Sequence, residues 1–454
     1  MNIITPKSIS GFPEWLPGER IVEQKLLSII EKTFEQYGFT SIETSAVERK
    51  DVLIAKGAAD KEIYSLTRLA GEESEEESSL ALHFDLTVPL ARYVAQNYHN
   101  LSFPFRRYQI QKVWRGERAQ SGRFREFYQC DIDVIGNESL SILTDAEIPS
   151  IIYQIFKEMN LGPFVIRINN RKIFKGYLES LNIFGDQSKS IMQVVDKIEK
   201  IGTLKVSNQL TEVIGLSLEQ SKSLLDFISL DGTNEEIIEK LRVMKINKVF
   251  NEGVEELALV LGYLKVLGVP EEFVHVYLGI MRGLDYYTGT IYETQLVNYP
   301  GLGSICSGGR YDNLASFFTD KKLPGVGISI GLTRLFSRLL ESEIVKVGPS
   351  TKASVIVTTM EQSFMKNYFE IATELRKQGI NTEVFLEPKK LSAQLNYADK
   401  KGFPIAVIVG SREIESKTVK LKNLMTGEEH LVSRFEIIGK IKEILGEFNN
   451  KELP

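Results

Sequence analysis

From about Lys172 to Val269 apolar residues recur mostly at three- and four-residue steps, through Ile173, Tyr177, Leu178, Leu181 and Ile183 and again through Ile191, Val194, Val195 and Ile198. That spacing predicts amphipathic helices. The stretches on either side are rich in glycine and strand formers, and the helical block carries no dense set of reactive side chains of its own. It reads as an α-helical insertion into a domain written in two pieces. The chain has 454 residues, beyond the roughly 250 to 300 at which one hydrophobic core stops growing. The expected divisions are 1–171 and 270–344 for the two pieces of the core domain, 172–269 for the insertion, and 353–454 for a further domain.

The first piece opens with a turn-rich entry, Gly11 to Pro17, and a helix marked by Ile21, Leu26, Ile29, Ile30, Phe34 and Tyr37. Gly38 supplies its stop, and Phe39 to Val47 reads as a strand. The acidic, serine-rich run Gly71 to Ser79 reads as a solvated loop. After a helix ending near Glu341, Val345 to Lys352 reads as a linker. Strands at Val355–Val357, Thr382–Phe385 and Ile405–Val409 then alternate with helices over Met365–Gln378 and near Leu391–Lys401, an α/β pattern.

Composition excludes several classes. Hydrophobic residues at 43% and charged residues at 25% describe a folded, non-fibrous chain. No apolar run of about 18 residues and no signal-peptide core is present, so no membrane partner and a cytoplasmic location are expected. Cys130 and Cys306 are too few for a disulfide framework, and with four scattered histidines they give no metal-ligand spacing. Net charge is −5, which disfavours DNA; the last 104 residues, 351–454, hold 16 Lys and Arg against 14 Asp and Glu, which permits an RNA partner without requiring one.

Six stretches concentrate chemistry. Met281 to Thr290 packs Arg282, Asp285, Tyr286 and Tyr287 between glycines, either a polar turn entering a strand or a ligand site. In Ala81 to Pro89 a strand's period of two sets His83, Asp85 and Thr87 on one face, and in Gln129 to Val134 it does the same for Gln129, Asp131 and Asp133. Either face is open to solvent or lines a site. Arg115, Arg118, Arg123 and Arg125 crowd a glycine-containing hairpin beside Phe124 and Phe127, a set suited to phosphates with a ring under a base, or to a solvated tip. Gly301 to Asp312 reads as a glycine-rich strand pair, and Gly325 to Arg334 as a strand running into a helix with Arg334 at its start. Neither GxxxxGK[ST] nor a helix-opening GxGxxG occurs, which excludes P-loop and Rossmann nucleotide sites.

Taken together these residues resemble class II aminoacyl-tRNA synthetases, and within them the histidyl-tRNA synthetases, over nearly the whole chain. Trp114 to Gln129 is similar to the arginine-rich second motif, Arg282 to Gly289 to the histidine-specific stretch, Ser307 to Leu314 to its glycine-rich partner and Gly327 to Arg334 to the third motif. Leu391 to Asp399 and Thr418 to Glu428 are similar to parts of the family's anticodon-binding domain. The resemblance implies an α+β catalytic domain on a six-stranded antiparallel sheet, the α-helical insertion, and a carboxyl-terminal α/β anticodon-binding domain. It implies a homodimer that binds L-histidine, ATP with Mg2+, and tRNA(His).

The same resemblance assigns residues. Arg115 and Arg282 would be catalytic; Asp85, Leu86, Thr87, Arg115, Gln129, Asp133, Arg282, Tyr286 and Tyr287 would bind histidine; Arg115, Glu117, Arg123, Phe124 and Arg334 would bind ATP. Three positions depart from the family pattern: Ser45 for a proline, Thr333 for an acid, His83 for an arginine. The main alternative is a noncatalytic paralogue that activates ATP phosphoribosyltransferase. Such paralogues typically lack the carboxyl-terminal domain and degrade the motif containing Arg282; here both are intact.

Overall fold

A computed structural model describes residues 3–55, 62–68, 79–118, 122–281 and 287–449, apart from the side chains of 314 and 447–449. The chain forms two compact units, Met1–Pro13 with Leu27–Val345 and Glu14–Leu26 with Lys346–Pro454.

Helix α1 (Pro17–Gln36) ends where glycine allows it, with Gly38 at φ +74°. Phe34 then packs on Phe39 and Tyr108, its ring centroid 5.8 Å from that of Tyr108. The single strand expected over Phe39–Val47 is instead two short ones, β1 (Thr40–Ser41) and β2 (Val47–Arg49), in different sheets. Side chains replace the ladder between them: Gln109 Nε2 donates to Thr44 Oγ1 and Gln111 Nε2 to the Thr44 carbonyl.

Next come α2 (Lys50–Ile54), β3 (Leu80–Leu82), α3 (Thr87–Asn97), β4 (Phe105–Trp114), β5 (Glu126–Ile135), α4 (Leu143–Met159) and β6 (Phe164–Asn170). Seven helices follow: α5 (Arg171–Ser180), α6 (Gly185–Val195), α7 (Ile198–Ile201), α8 (Thr203–Asn208), α9 (Leu218–Ile228), α10 (Asn234–Met244) and α11 (Lys248–Val266). The unit closes with β7 (Val274–Val276), β8 (Tyr287–Leu296), β9 (Cys306–Tyr311), β10 (Gly325–Gly331) and α12 (Leu332–Glu341). The stretch Gly301 to Asp312 therefore supplies one strand rather than a pair.

The large sheet has eight strands in the order β1-β4-β5-β10-β9-β8-β6-β7. Its six central strands are antiparallel, as expected, and the sequence reading missed the parallel edges, β1 beside β4 and β7 beside β6. Each edge strand is only two or three residues long, too short to show as a periodic pattern. The seven helices leave from β6 and return to β7, which lies against it, so the excursion starts and ends at one edge of the sheet. Helices α5 and α11 approach closely at two glycines. A Cβ on Gly176 would lie 2.6 Å from the Phe250 nitrogen, and one on Gly253 2.8 Å from the Ile173 nitrogen. Beside them Tyr177 and Phe227 stack with centroids 3.8 Å apart.

The second unit holds β11 (Val355–Val357), α13 (Met365–Lys377), β12 (Thr382–Val384), α14 (Leu391–Lys401), β13 (Ile405–Ile408), α15 (Ser411–Ser416), β14 (Thr418–Asn423), β15 (Glu429–Ser433) and α16 (Ile437–Asn449). Its sheet runs β12-β11-β13-β14-β15, parallel across the first three strands and antiparallel thereafter. Alternate residues of β11 face opposite cores: Val355 and Val357 pack with Tyr368, Leu375 and Ile441, while Ile356 packs with Ala398 and Phe403. Among the described residues no helix is long and apolar enough to cross a membrane.

Candidate active site

One face of the large sheet floors a cavity of about 460 Å3. Adjacent strands bring their polar residues into one row, because Arg107 pairs with Asp133, Gln109 with Asp131 and Gln111 with Gln129 between β4 and β5, and Ser329 of β10 lies opposite Asp131. The alternation predicted for Gln129, Asp131 and Asp133 is present, and all three line the cavity while Cys130, Ile132 and Val134 are buried behind. Gln129 Nε2 donates to Ser329 Oγ at 2.8 Å. Asp133 accepts from the Tyr311 hydroxyl at 2.8 Å and is paired with the Arg107 guanidinium at 2.5 Å.

Asp85 and Thr87 also line the cavity, but not from a strand face. The strand expected over Ala81–Pro89 stops at Leu82, and α3 begins at Thr87. Pro89 explains the switch, since a residue without an N–H weakens a ladder yet loses nothing in a helix's first turn. Asp85 Oδ1 accepts the Val88 N–H at 3.1 Å, which fixes the carboxylate at the helix start. Leu86 is fully buried and does not line the cavity. His83 leaves the group as well: its Nε2–H donates to the Lys112 carbonyl at 2.8 Å, its ring lies 5.5 Å from that of Trp114, and burial holds the imidazole below its ordinary pKa.

The hairpin joining β4 and β5 delivers Arg115, Glu117, Arg123, Phe124 and Phe127 to the cavity wall. Arg115 Nε donates to the Phe84 carbonyl at 3.0 Å, and its guanidinium lies 5.1 Å from the Phe127 ring centroid. Arg123 faces Glu117 at 3.3 Å, while Arg125 Nε donates to the Glu117 carbonyl at 2.9 Å and shapes the tip. Arg118 is exposed and outside the lining. Arg334 projects from the first turn of α12 and donates to the Leu302 carbonyl at 3.3 Å. Thr333 accepts the Tyr128 N–H at 2.9 Å, docking α12 on β5. Tyr287, the first residue of β8, completes the lining; Arg282 and Tyr286 lie outside the described residues, as do residues 71–78 of the acidic run.

Sequence reasoning missed Arg107, Tyr311 and Ser329 and left Asp131 without a role. Arg107, Gln109 and Gln111 alternate with Tyr108 and Ile110, so a period-two polar row was there to be found. Burial pushes the Asp131 carboxyl up to about 7 against the pull of Arg107 and Ser329. Asp85 Oδ2, Gln129 Oε1 and Asp131 Oδ1 are buried acceptors without a hydrogen-bond partner among the described residues. A ligand rich in N–H donors suits them. The cations Arg115, Arg123 and Arg334 of the same lining suit anionic oxygens.

A profile of the histidyl-tRNA synthetase family matches residues 11–335, and an anticodon-binding-domain profile matches residues 352–444. The chain belongs to the histidyl-tRNA synthetase family. It is 47% identical to a histidine–tRNA ligase of Clostridium tetani over 97% of this chain and 99% of that one, and 46% identical to one from a Nostoc species over 98% of each. A crystal structure of histidyl-tRNA synthetase from Nostoc superposes with a TM-score of 0.89 at 45% identity, covering 97% of this chain and all of that one. The sheet and the carboxyl-terminal unit thus have the class II synthetase architecture. A Bacillus halodurans structure described as an ATP phosphoribosyltransferase regulatory subunit/histidyl-tRNA synthetase shares the fold, with a TM-score of 0.73 at 19% identity over 90% of this chain and all of that one.

Proposed function

We propose that this synthetase-family chain is a histidine–tRNA ligase that activates L-histidine with ATP and passes the histidyl group to the 3′ end of tRNA(His). In the first step a carboxylate oxygen of histidine attacks the α-phosphorus of ATP, forming the mixed anhydride as pyrophosphate leaves. In the second a terminal ribose hydroxyl attacks the acyl carbon and AMP leaves. The observation that carries this reading is that one cavity joins two kinds of group. Buried acceptors of Asp85, Gln129 and Asp131 line it together with the guanidiniums of Arg115, Arg123 and Arg334.

Asp85 and Thr87 would hold the ammonium group, Gln129 would orient the amino acid, and Asp133 with Tyr287 and Tyr286 would read the imidazole. Such a site rejects a ring-less competitor because its own buried polar groups are then left unpaired. Arg115 would steady the attacking carboxylate and the α-phosphate, Arg334 and Arg123 would bind the triphosphate, and Phe124 the adenine. Arg282, from the family-specific stretch, is assigned to the α-phosphate with Arg115. Among the described residues no group of three His, Cys, Asp or Glu could cage a metal. Mg2+ would arrive on the nucleotide, with Glu117 as the nearby carboxylate. Bound there, the ion would neutralise phosphate charge.

The decisive measurement is amino-acid-dependent exchange of pyrophosphate into ATP. Exchange should need histidine, and Arg115→Ala and Arg282→Ala should each lower it about 100- to 1000-fold, as loss of a transition-state donor does. Exchange with another amino acid but not histidine would refute the reading. We also assign a cytoplasmic homodimer; a purified protein that sediments as an active monomer would contradict the dimer.

A further inference from the structure

We propose that Arg107 is a positioning residue that makes the site select the neutral imidazole of its ligand over the imidazolium. The inference rests on the histidine-binding reading above and adds to it the charge state of the ligand. Arg107 is wholly buried and does not line the cavity, whereas its strand neighbour Asp133 does. Both oxygens of that carboxylate are engaged, Oδ1 by the Tyr311 hydroxyl at 2.8 Å and Oδ2 by the guanidinium at 2.5 Å. Gly327 backs it so closely that a Cβ there would lie 2.2 Å from Oδ1. Asp133 therefore presents a fixed edge, and its charge is already offset.

A carboxylate oxygen has two lone pairs, so an oxygen that already takes one hydrogen bond has not exhausted its capacity to accept. A neutral ring supplies one N–H and keeps an acceptor nitrogen. An imidazolium would bring a second cation beside Arg107, whose partner Asp133 is already neutralised. Among the described residues the other charged or titratable groups lining the cavity beside the row include Asp131 on the same strand, its carboxyl pushed up to about 7 by burial, Asp85 at the start of α3, Arg115 of the hairpin, and the phenols of Tyr287 and Tyr311. Asp85 faces the demand of the ligand's ammonium group, and Arg115 adds positive charge. Without Arg107, Asp133 would be an uncompensated buried anion, the partner an imidazolium needs.

The test uses the full-length protein and histidine labelled with 15N in both ring nitrogens. Bound to wild type at pH 5.5, the ring should show one protonated and one unprotonated nitrogen. Histidine affinity should then fall up to about tenfold per pH unit below the ring's pKa of about 6.5. In Arg107→Met the bound ring should become doubly protonated, the low-pH loss should disappear, and affinity at pH 8 should drop at least tenfold while the KM for ATP changes less than twofold. Arg107→Lys should keep the neutral ring. A doubly protonated ring on wild type overturns the inference, as does a folded Arg107→Met with the wild-type spectrum and pH profile. Should Arg107→Met not fold, the wild-type spectrum and the Arg107→Lys profile decide. Failure of wild type to bind histidine at all would instead refute the functional reading beneath it.

Discussion

Asp131 shows how one residue's environment becomes a property of the whole protein. Its carboxyl is wholly enclosed, and burial raises it from an ordinary 3.8 to about 7. Between those values the unfolded chain has released the proton that the folded chain keeps. The folded state therefore binds more protons, and its stability falls as pH rises through that window. Asp131→Asn should remove the slope: relative to the variant, wild type should lose on the order of 4 kcal/mol between about pH 4 and 7, read from urea unfolding. The residues that depart from the family pattern have local explanations of the same grain. Thr333 accepts the Tyr128 N–H, His83 donates to the Lys112 carbonyl, and Ser45 Oγ accepts the Val47 N–H at 3.3 Å. Thr333→Val keeps the shape and removes the acceptor. It should cost about 1 to 3 kcal/mol by leaving a buried N–H unpaired, measured as a lower urea midpoint.

Among the elements, helices were the easiest to read. Apolar residues at helical spacing identified the block from Lys172 to Val269, and helices occupy most of it. What spacing did not reveal is which helices meet. Gly176 and Gly253 allow α5 and α11 to approach backbone to backbone, whereas the would-be Cβ of Gly262, also within α11, meets nothing within 4 Å beyond its own helix. One substitution should thus have opposite signs along one helix. Gly253→Ala should destabilise by about 1 to 3 kcal/mol through overpacking, and Gly262→Ala should stabilise by about 0.5 to 1 kcal/mol through helix propensity. Thermal unfolding followed by circular dichroism compares them; equal shifts would refute the close crossing. Short strands were the hardest to read. Val47–Arg49 pairs with Leu80–Leu82, which also bridges Ser65 through Ala81, and three residues carry too little alternation to mark a strand.

Over the whole molecule, the two units invite two assays. The carboxyl ends of the parallel strands β11, β12 and β13 lead into loops, and in open α/β sheets such ends are where ligands gather. The loop after β12 reaches α14 through Lys389 and Lys390, both exposed. The unit is matched by an anticodon-binding profile, and a contact of these lysines with phosphates is open to test. Reversing both, Lys389→Glu with Lys390→Glu, should raise the KM for tRNA about tenfold and leave histidine-dependent pyrophosphate exchange unchanged. Loss of exchange in that variant would show that the effect is not confined to RNA binding.

The sequence alone determined what depends on neighbours along the chain. Helical periodicity, the period-two row Gln129, Asp131 and Asp133, the strand-to-helix passage ending in Arg334 and the arginine-rich hairpin were all legible, because each is set by spacing within a few residues. Only the tertiary structure decided what depends on partners distant in the chain. It moved His83 away from Asp85 and Thr87 by ending the strand at Leu82 and starting a helix at Thr87. It also set Arg107 and Tyr311 against Asp133, Tyr311 across 178 residues of sequence. A side chain's charge is written in its name, but whether that charge is exposed, offset or poised for a ligand is fixed by what the fold packs around it.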